Sequence, residues 1–339
     1  MSGKLTNAYM PRTMVFPHRV VDRSKCKQCK RCYDVCPSYG YLWGDDKYPV
    51  PNGYGGYTEA CLNCWNCVAV CPHGAIRVEG LYSVNEGRHK TYMTKKMSYP
   101  RPFGDTDKRE YKDFEKQLTE VERVIYTRRS NRLFNQKKPV PEELINRIIE
   151  AGRFAPSAGN NMPYKFLVIS NREIIKELEH GAMFSLRLLK NLYLDKSGKG
   201  KRPILKRIFF TIYSWLDPQS MDPRPFTAVE KADRFDEKIY WDAPVIIMVL
   251  KNKMGISNPD LDIGICCQNM VLAAHSLGLG TCYVSLAIKS LNLPLMSGFR
   301  KKIGATYPWV PVTCIAIGYP VGKIDGVVSR EIPPVEWIR

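Results

Sequence analysis

Hydrophobic residues beyond position 120 follow two patterns, helical spacing in some segments and continuous apolar runs in others. Apolar residues at helical spacing between 121 and 125 predict an amphipathic helix that runs on into 128–132. A second amphipathic helix is expected from Pro141, which two acidic residues follow as suits a helix N-terminus, to Gly152. Residues 155–163 combine Pro, Ser, Gly and Asn and predict a loop.

Continuous apolar runs predict buried strands in the same part of the chain, at 166–169, 245–250 and 314–318. A long helix is expected over 262–277, and a short strand at 74–78 in the N-terminal part. Helices and strands therefore alternate beyond residue 120, which indicates an α/β or α+β domain.

Length and composition indicate a globular protein with two cores. The chain has 339 residues, of which 44% are hydrophobic and 25% charged. The longest uncharged apolar run, 243–250, is far shorter than the roughly 20 residues that cross a bilayer. The N-terminal residues show no apolar signal-peptide region. A transmembrane protein, a secreted mini-protein and a disordered tail are therefore not expected.

Eight of the twelve cysteines form two copies of one C-x-x-C-x-x-C-x-x-x-C-P pattern, offset by 35 residues: Cys26, Cys29, Cys32, Cys36, Cys61, Cys64, Cys67 and Cys71. Disulfides are disfavoured, because the chain is not a short secreted scaffold. Structural zinc would explain an isolated C-x-x-C, but it explains the third close thiolate and the C-P ending poorly. The remaining four cysteines lie in apolar surroundings and are expected to be buried: Cys266, Cys267, Cys282 and Cys314.

The pattern resembles the ligand run of bacterial two-cluster ferredoxins, in which the fourth cysteine ligates the other cluster. The resemblance implies one [4Fe-4S] cluster on Cys26, Cys29, Cys32 and Cys71, and a second on Cys61, Cys64, Cys67 and Cys36. Residues 1–95 therefore resemble a ferredoxin domain with an enlarged loop at 38–60, whose glycine-rich stretch 52–57 we interpret as turns. Residues 96–120 are expected to form a linker, and 121–339 a second domain.

Ordered blocks in the second domain resemble the FMN-dependent nitroreductase family: 128–134, 139–141, 155–160, 274–281 and 317–320, followed by Arg330. The resemblance covers 121–339 except for a variable region at 185–240. The whole chain resembles ferredoxin-fused nitroreductase-like proteins. The expected fold class is α+β, with a ferredoxin-like two-cluster domain followed by a nitroreductase-like α/β FMN domain.

The family resemblance implies a set of FMN contacts: Arg128, Arg129, Ser130, Arg132, Pro156, Ser157, Ala158, Asn160, Ser285, Leu286 and Arg330. Guanidinium groups suit the FMN phosphate, because they can bind two of its oxygens at once. The loop around Asn160 is expected to wrap the flavin and its ribityl chain, and the backbone N–H groups of Ser285 and Leu286 to approach flavin N5 and O4. Two positions depart from the family, with Met162 in place of Gln and Val328 in place of Lys.

The chain has a formal net charge of +18, and this excess of basic residues needs an explanation. No nucleic-acid partner is expected, because no helix-turn-helix, RNA-binding sheet or zinc-finger signature accompanies the charge. Two explanations of the charge remain. The basic residues form a solvated surface, or they form a docking surface for an acidic carrier such as ferredoxin. The basic amphipathic segment 181–215 is interpreted first as part of a lid or dimer element, then as an anionic-substrate or carrier contact, and last as a peripheral membrane contact.

These features predict a cytoplasmic, homodimeric iron–sulfur flavoprotein enzyme. Electrons from a low-potential donor would pass through two [4Fe-4S] clusters to FMN and then to a small organic acceptor of the nitro, ene or quinone type. Flavin N5 carries the chemistry, and no side chain is predicted as a covalent catalyst. The alternative is an electron-transfer subunit of a larger redox complex with no substrate turnover of its own. The direction of electron flow stays open.

Overall fold

The computed structural model describes residues 4–5, 12–15, 18–38, 40–52, 61–62, 64–79, 82–86, 92–95, 97–104, 107, 109–193, 205, 208, 212, 229, 231–233, 238–322, 326–333 and 335–339. The chain divides into two compact units. Unit 1 comprises Met1–Thr127, Leu189–Lys231 and Asp325–Arg339, and unit 2 comprises Arg128–Leu188 and Ala232–Ile324. Among the helices of these described ranges, none has the length and apolarity to cross a membrane.

Unit 1 is built from small antiparallel sheets and short helices. Its strands are β1 (Lys4–Leu5), β2 (Arg12–Val15), β3 (His18–Val21), β4 (Tyr41–Trp43), β5 (Pro49–Pro51), β6 (Ile76–Glu79), β7 (Tyr82–Glu86), β8 (Tyr92–Lys95), β9 (Met97–Ser98) and β14 (Arg330–Glu331). They pair as a four-stranded sheet of order β1-β2-β7-β8 and as the two-stranded sheets β3-β6, β4-β5 and β14-β9. The helices are α1 (Arg31–Val35), α2 (Asn66–Ala69), α3 (Tyr111–Phe114) and α4 (Glu120–Thr127), with a 3₁₀ turn at Glu115–Gln117.

Unit 2 has one antiparallel sheet of order β10-β11-β13-β12. Its strands are β10 (Tyr164–Ile169), β11 (Val245–Asn252), β12 (Gly280–Val284) and β13 (Trp309–Gly318). Its helices are α5 (Glu142–Arg153), α6 (Arg172–Tyr193, which continues into unit 1), α7 (Pro259–Ser276), α8 (Leu286–Leu291) and α9 (Ser297–Lys302), with 3₁₀ turns at Ala158–Asn160 and Pro294–Met296. The combination of helices with antiparallel sheets is α+β and confirms the expected fold class.

The core of unit 2 lies between the sheet and helices α5 and α7. Residues buried on α7 recur at helical spacing, as Ile263, Cys266, Cys267, Met270, Val271 and Ala274. They pack against alternate residues of the central strands, including Ile247 and Val249 on β11 and Ile315 and Ile317 on β13. Cys282 and Cys314 are also buried, so all four cysteines outside the repeats lie in the interior, as predicted.

Residues 128–132 are not helical, so the prediction that the first helix runs through them is wrong. Helix α4 ends at Thr127. Ser130 instead forms a parallel bridge to Thr281, and the Asn131 N–H donates to the Thr281 carbonyl at 2.7 Å. The Asn131 side chain also accepts from the Leu133 N–H at 2.9 Å, a local contact that competes with helix formation.

The segments expected to be a linker and an enlarged loop contain helices and strands. Within the expected linker 96–120 lie strand β9 and helix α3, and strands β4 and β5 form a hairpin in the enlarged loop 38–60. The glycine-rich positions 53–57 and most of residues 194–237 lie outside the described residues. The lid or dimer prediction, made for 181–215 within the variable region 185–240, therefore falls largely outside them. Residues 325–339, which the sequence places in the second domain, belong to unit 1.

Packing of α5 on α7 requires a glycine at position 152. A Cβ there would lie 2.7 Å from Met270 Cγ and 3.1 Å from Cys266 Sγ, whereas a Cβ on Gly264, also on α7, would meet nothing within 4 Å. We expect Gly152→Ala to destabilise unit 2 by about 1–3 kcal/mol through overpacking. Gly264→Ala should instead stabilise α7 by roughly 0.5–1 kcal/mol, because alanine favours the helix.

The apparent Tm of both variants, followed by far-UV circular dichroism, measures this difference. A Gly152→Ala variant as stable as Gly264→Ala would contradict the close approach of the two helices.

Candidate cofactor sites

Both cysteine repeats enter a short helix through the same unusual backbone turn. Lys30 precedes α1 and Trp65 precedes α2, 35 positions further along the sequence. Both adopt left-handed angles, with φ of 65° and 59°. Non-glycine residues rarely adopt this conformation, because their Cβ crowds the following carbonyl. The sequence repeat is therefore also a repeat of backbone structure.

Four thiols meet around Cys32, which lies in α1. Burial, and then the neighbouring thiols of Cys29, Cys71 and Cys26, raise the pKa of the Cys32 thiol to about 12. The backbone N–H of Ala75 donates to Cys71 Sγ at 3.3 Å and orients it. Three of these cysteines come from the first repeat and the fourth from the second. We call Cys26, Cys29, Cys32 and Cys71 the Cys32 set.

A second group of four thiols lies around Cys67, in α2. Cys67 is half-buried as a residue, yet desolvation raises the pKa of its thiol well above the usual value, and the thiols of Cys64, Cys61 and Cys36 add to that rise. The same four residues line one small cavity. We call Cys36, Cys61, Cys64 and Cys67 the Cys67 set. Each repeat therefore places its fourth cysteine with the first three of the other repeat.

The donor chemistry of both sets fits an iron–sulfur cluster. Thiolates are the soft ligands that these clusters take, and each binds a different iron of a cubane. The sulfurs of such a set therefore need not converge on one ion. In the part of the chain that the structure describes, no three His, Cys, Asp or Glu side chains are grouped as a single ion would require.

Polar groups that sequence reasoning did not single out surround the Cys67 set. Ser38 Oγ lies 3.5 Å from Cys36 Sγ. Tyr41 is 2% exposed and lines the cavity with Arg19. Burial raises the pKa of Tyr41 well above its usual value, and the neighbouring Cys67 thiol raises it further. No local pattern in the sequence marks these residues, because strand pairing and the β4–β5 hairpin bring them to the cavity.

In unit 2, the predicted phosphate contacts lie along the edge strand β12. Arg129 is 7% exposed, and the Arg132 guanidinium lies 5.1 Å from the centroid of the Trp241 ring. Arg128 lies near Tyr283. Burial raises the pKa of Tyr283 overall, and the positive charge of Arg128 lowers it in part. Ser130 is bridged to Thr281 on the same strand. Three guanidinium groups and a hydroxyl are thus held on a short, non-helical segment.

Asn131 fixes this segment against β12. It is 1% exposed, and a Cβ on Gly280 would lie only 2.1 Å from its Nδ2 atom, so the strand needs glycine there. Nδ2 itself has no hydrogen-bond partner among the described residues. A buried donor between the predicted phosphate contacts fits a polar ligand bound against the segment.

Ser285 and Leu286 lie at the other end of β12, where the strand leads into α8. Ser285 Oγ and Thr313 Oγ1 are 2.9 Å apart and fix the turn. Ser285 is four positions after Thr281, a distance of roughly 13 Å at the rise of a strand. This edge therefore offers cationic groups at one end and backbone groups at the other, as a ligand with a phosphate and a distant ring system requires.

The predicted loop contacts lie elsewhere in unit 2. Pro156, Ser157, Ala158 and Asn160 precede β10, the opposite edge of the sheet. Ser157 Oγ accepts from the Met162 N–H at 3.0 Å, and Gly159, Asn160 and Met162 all have positive φ. Tyr164 pairs with Lys251, whereas Thr281 pairs with Ile317 opposite Val245. The two predicted groups therefore flank strand ends on the order of 25 Å apart.

Arg330, the predicted closing contact, belongs to unit 1. Its backbone pairs with Ser98 in the β14–β9 sheet, and its side chain is exposed. Val328, which stands where the family often has lysine, is 2% exposed. The structure thus gives Val328 a packing role in unit 1.

Comparison with known proteins finds two families in the chain. The Nitroreductase family matches residues 125–319, and the 4Fe-4S dicluster domain matches residues 25–76. A protein of Methanothermobacter thermautotrophicus named "Putative NADH dehydrogenase/NAD(P)H nitroreductase" is 28% identical over 207 residues, which cover 59% of this chain and 78% of that protein.

Two further relatives each resemble one part of the chain. An uncharacterized ferredoxin of Methanocaldococcus jannaschii is 44% identical over 62 residues, 18% of this chain and 75% of that protein. A crystal structure of an FMN-bound nitroreductase from Desulfitobacterium hafniense is 20% identical with a TM-score of 0.48, covering 66% of this chain and 100% of the other.

The nitroreductase match extends over more than half of the chain. The dicluster match contains all eight repeated cysteines and none of the four cysteines that are buried in unit 2. Both parts of the predicted ferredoxin-fused architecture are thereby confirmed. The chain belongs to the nitroreductase family and is an FMN-dependent oxidoreductase that carries a ferredoxin-type 4Fe-4S domain.

Proposed function

We propose that this oxidoreductase passes electrons from a low-potential donor through two [4Fe-4S] clusters to FMN, and from there to a small organic acceptor of the nitro, ene or quinone type. The observation that carries the proposal is the pair of four-thiol sets in unit 1. A nitroreductase that received electrons only from a soluble two-electron donor would have no use for them. No dinucleotide-binding fingerprint is found in the sequence.

In this proposal the Cys32 set and the Cys67 set each hold one cluster. Iron–sulfur clusters exchange single electrons, and FMN when bound can collect two of them for an organic acceptor. The contribution of the chain is to bind and orient these groups. Backbone and hydroxyl contacts at Cys71 and Cys36 orient two of the thiols.

FMN would lie along the β12 edge, with its phosphate on residues 128–132 and its ring near Ser285. Arg128, Arg129, Ser130 and Arg132 are the proposed phosphate contacts in unit 2, and Arg330 stays a proposed contact. Because the loop 156–160 flanks the far edge of the same sheet, it cannot reach this ligand within one unit 2. We propose that the loop is supplied by a second copy of the chain, so the protein acts as a homodimer.

The electron donor in this proposal is an acidic carrier such as ferredoxin. Cys29 of the Cys32 set is exposed, and exposed cations surround it in sequence at Arg23, Lys25, Lys27 and Lys30. Opposite charge accelerates the encounter of redox partners and orients them. Electrons would therefore arrive at the Cys32 set.

Cluster content tests the metal assignment. We expect about eight irons and eight acid-labile sulfides per chain after anaerobic preparation, because two cubanes need eight thiolate ligands. Cys64→Ala should remove about half of the iron, whereas Cys282→Ala, which changes a buried thiol of unit 2, should leave it unchanged. Tightly bound zinc with no iron taken up during reconstitution would refute the assignment.

Subunit complementation tests the FMN site. Arg128→Ala and Asn160→Gly should each release FMN, and the glycine keeps the positive φ of position 160. If each site combines residues of two copies, a mixed dimer of the variants contains one intact site and one doubly altered site. Unfolding and refolding the two variants together should therefore restore about a quarter of the wild-type FMN content, since about half of the dimers are mixed.

Arg147→Ala, which removes an exposed cation of α5, is the control and should retain FMN. Absence of any recovery in the mixture, with FMN lost from each variant alone, would place all contacts in one copy.

Charge reversal tests where the carrier docks. Lys25→Glu/Lys27→Glu should slow ferredoxin-driven flavin reduction at low salt by about tenfold or more, because it removes attraction near Cys29. Lys253→Glu/Lys301→Glu changes the net charge equally, at exposed positions of unit 2, and should have a much smaller effect. Stopped-flow reduction across a salt series measures both rates. Equal slowing by the two pairs would show that only overall charge matters.

A further inference from the structure

A buried arginine lies beside one of the two thiol sets. Arg19, in β3, is 5% exposed and lines the same cavity as the four cysteines of the Cys67 set. Its Nη2 donates to the Asn52 carbonyl at 3.4 Å, and its guanidinium lies 5.0 Å from the centroid of the Tyr41 ring. An arginine keeps its charge at any pH at which proteins are folded. Unit 1 therefore holds a permanent positive charge in its interior at this cavity.

Arg19 occupies the space that a side chain at position 40 would need. A Cβ on Gly40 would lie 2.0 Å from Arg19 Nη1 and 3.0 Å from Cys36 Sγ. Both atoms therefore lie within 3.0 Å of one point beside Gly40. The guanidinium is thus a close neighbour of a thiol of the Cys67 set, and the absence of a side chain at position 40 makes that approach possible.

A second cation reaches the same thiol set from another segment of unit 1. Lys231 Nζ donates to the backbone carbonyl of Cys36 and, at 3.3 Å, to that of Tyr33. Arg19 is the stronger of the two influences, because it is buried and lines the cavity of the Cys67 set, whereas Lys231 contacts backbone carbonyls and is only half-buried.

We propose that Arg19, supported by Lys231, raises the reduction potential of the cluster held by the Cys67 set and so makes the two clusters unequal. This inference rests on the proposed function, because it requires both clusters to be present. One electron taken from the donor adds one negative charge to a cluster and its four thiolates, with no bond formed or broken and no proton needed. A buried cation stabilises that added charge more than an exposed one does, because water and salt screen the exposed cation.

The consequence is an order of electron transfer within unit 1. The Cys32 set includes the exposed Cys29, where a carrier can approach. The Cys67 set faces the buried cation, and the electron is held there more tightly. An electron delivered at the Cys32 set would then move on to the Cys67 set, which frees the first cluster for the next delivery.

Redox titration of the full-length, cluster-loaded protein, followed by electron paramagnetic resonance, tests the proposal. The wild type should show two reduction steps. Arg19→Gln should shift only the higher-potential step to lower potential, and Arg19→Lys should shift it less, because the charge is kept. Arg77→Gln is the matched control, since Arg77 lies on the paired strand β6 next to the partner of Arg19 with its side chain about half exposed. It removes the same charge and should move neither step.

Lys231→Met provides a second measurement that does not disturb the β3–β6 sheet, and it should shift the same step in the same direction. If Arg19→Gln fails to fold, this variant decides the outcome. Two clusters with steps unchanged in the Arg19 and Lys231 variants, or with both steps moved equally, would overturn the inference and leave the proposed function intact. A wild type with fewer than two clusters would overturn both.

Discussion

The exchange of one cysteine between the two repeats is the constraint on which unit 1 depends. Cys71 lies with the thiols around Cys32, and Cys36 lies with those around Cys67. Helices α1 and α2 have five and four residues, far too few to be stable alone. Neither repeat can assemble a ligand set without the other, so the two must fold together. The strained turns before both helices are tolerated because the surrounding structure fixes them.

The edges of the unit 2 sheet impose a comparable constraint on the flavin site. The cluster of buried hydrophobic residues between α5, α7 and the central strands contains none of the predicted FMN contacts. Those of unit 2 flank the edge strands, with residues 128–132 along β12 and the loop 156–160 before β10. An antiparallel sheet of four strands keeps these edges apart. This separation is the reason why the proposed function places FMN between two copies of the chain.

The sequence anticipates elements whose pattern is local. Helix α5 was expected at 141–152 and spans Glu142–Arg153, and the apolar helix expected at 262–277 spans Pro259–Ser276. The cysteine sets were expected from the resemblance of both repeats to the ligand run of two-cluster ferredoxins, in which the fourth cysteine ligates the other cluster. Strand β12 was missed, since its glycine, threonine and cysteine carry a weak strand pattern. Its place follows from pairing with β13 and from Asn131, which is distant in sequence.

Arg19 shows a second limit of sequence reasoning. In the sequence it is one of 51 basic residues and sits between His18 and Val20 without a distinguishing motif. Its burial depends on Gly40 leaving space, on the Asn52 carbonyl and on the ring of Tyr41. These are long-range contacts, and none of them can be inferred from periodicity.

The net charge of +18 therefore contains cations of different kinds. Exposed lysines near Cys29 act through water and depend on salt, whereas a buried guanidinium acts at short range in a weakly screening interior. Part of the positive charge also balances the negative charge that clusters and a flavin phosphate bring, so the charge of the bare chain overstates the net charge of the protein with its cofactors bound.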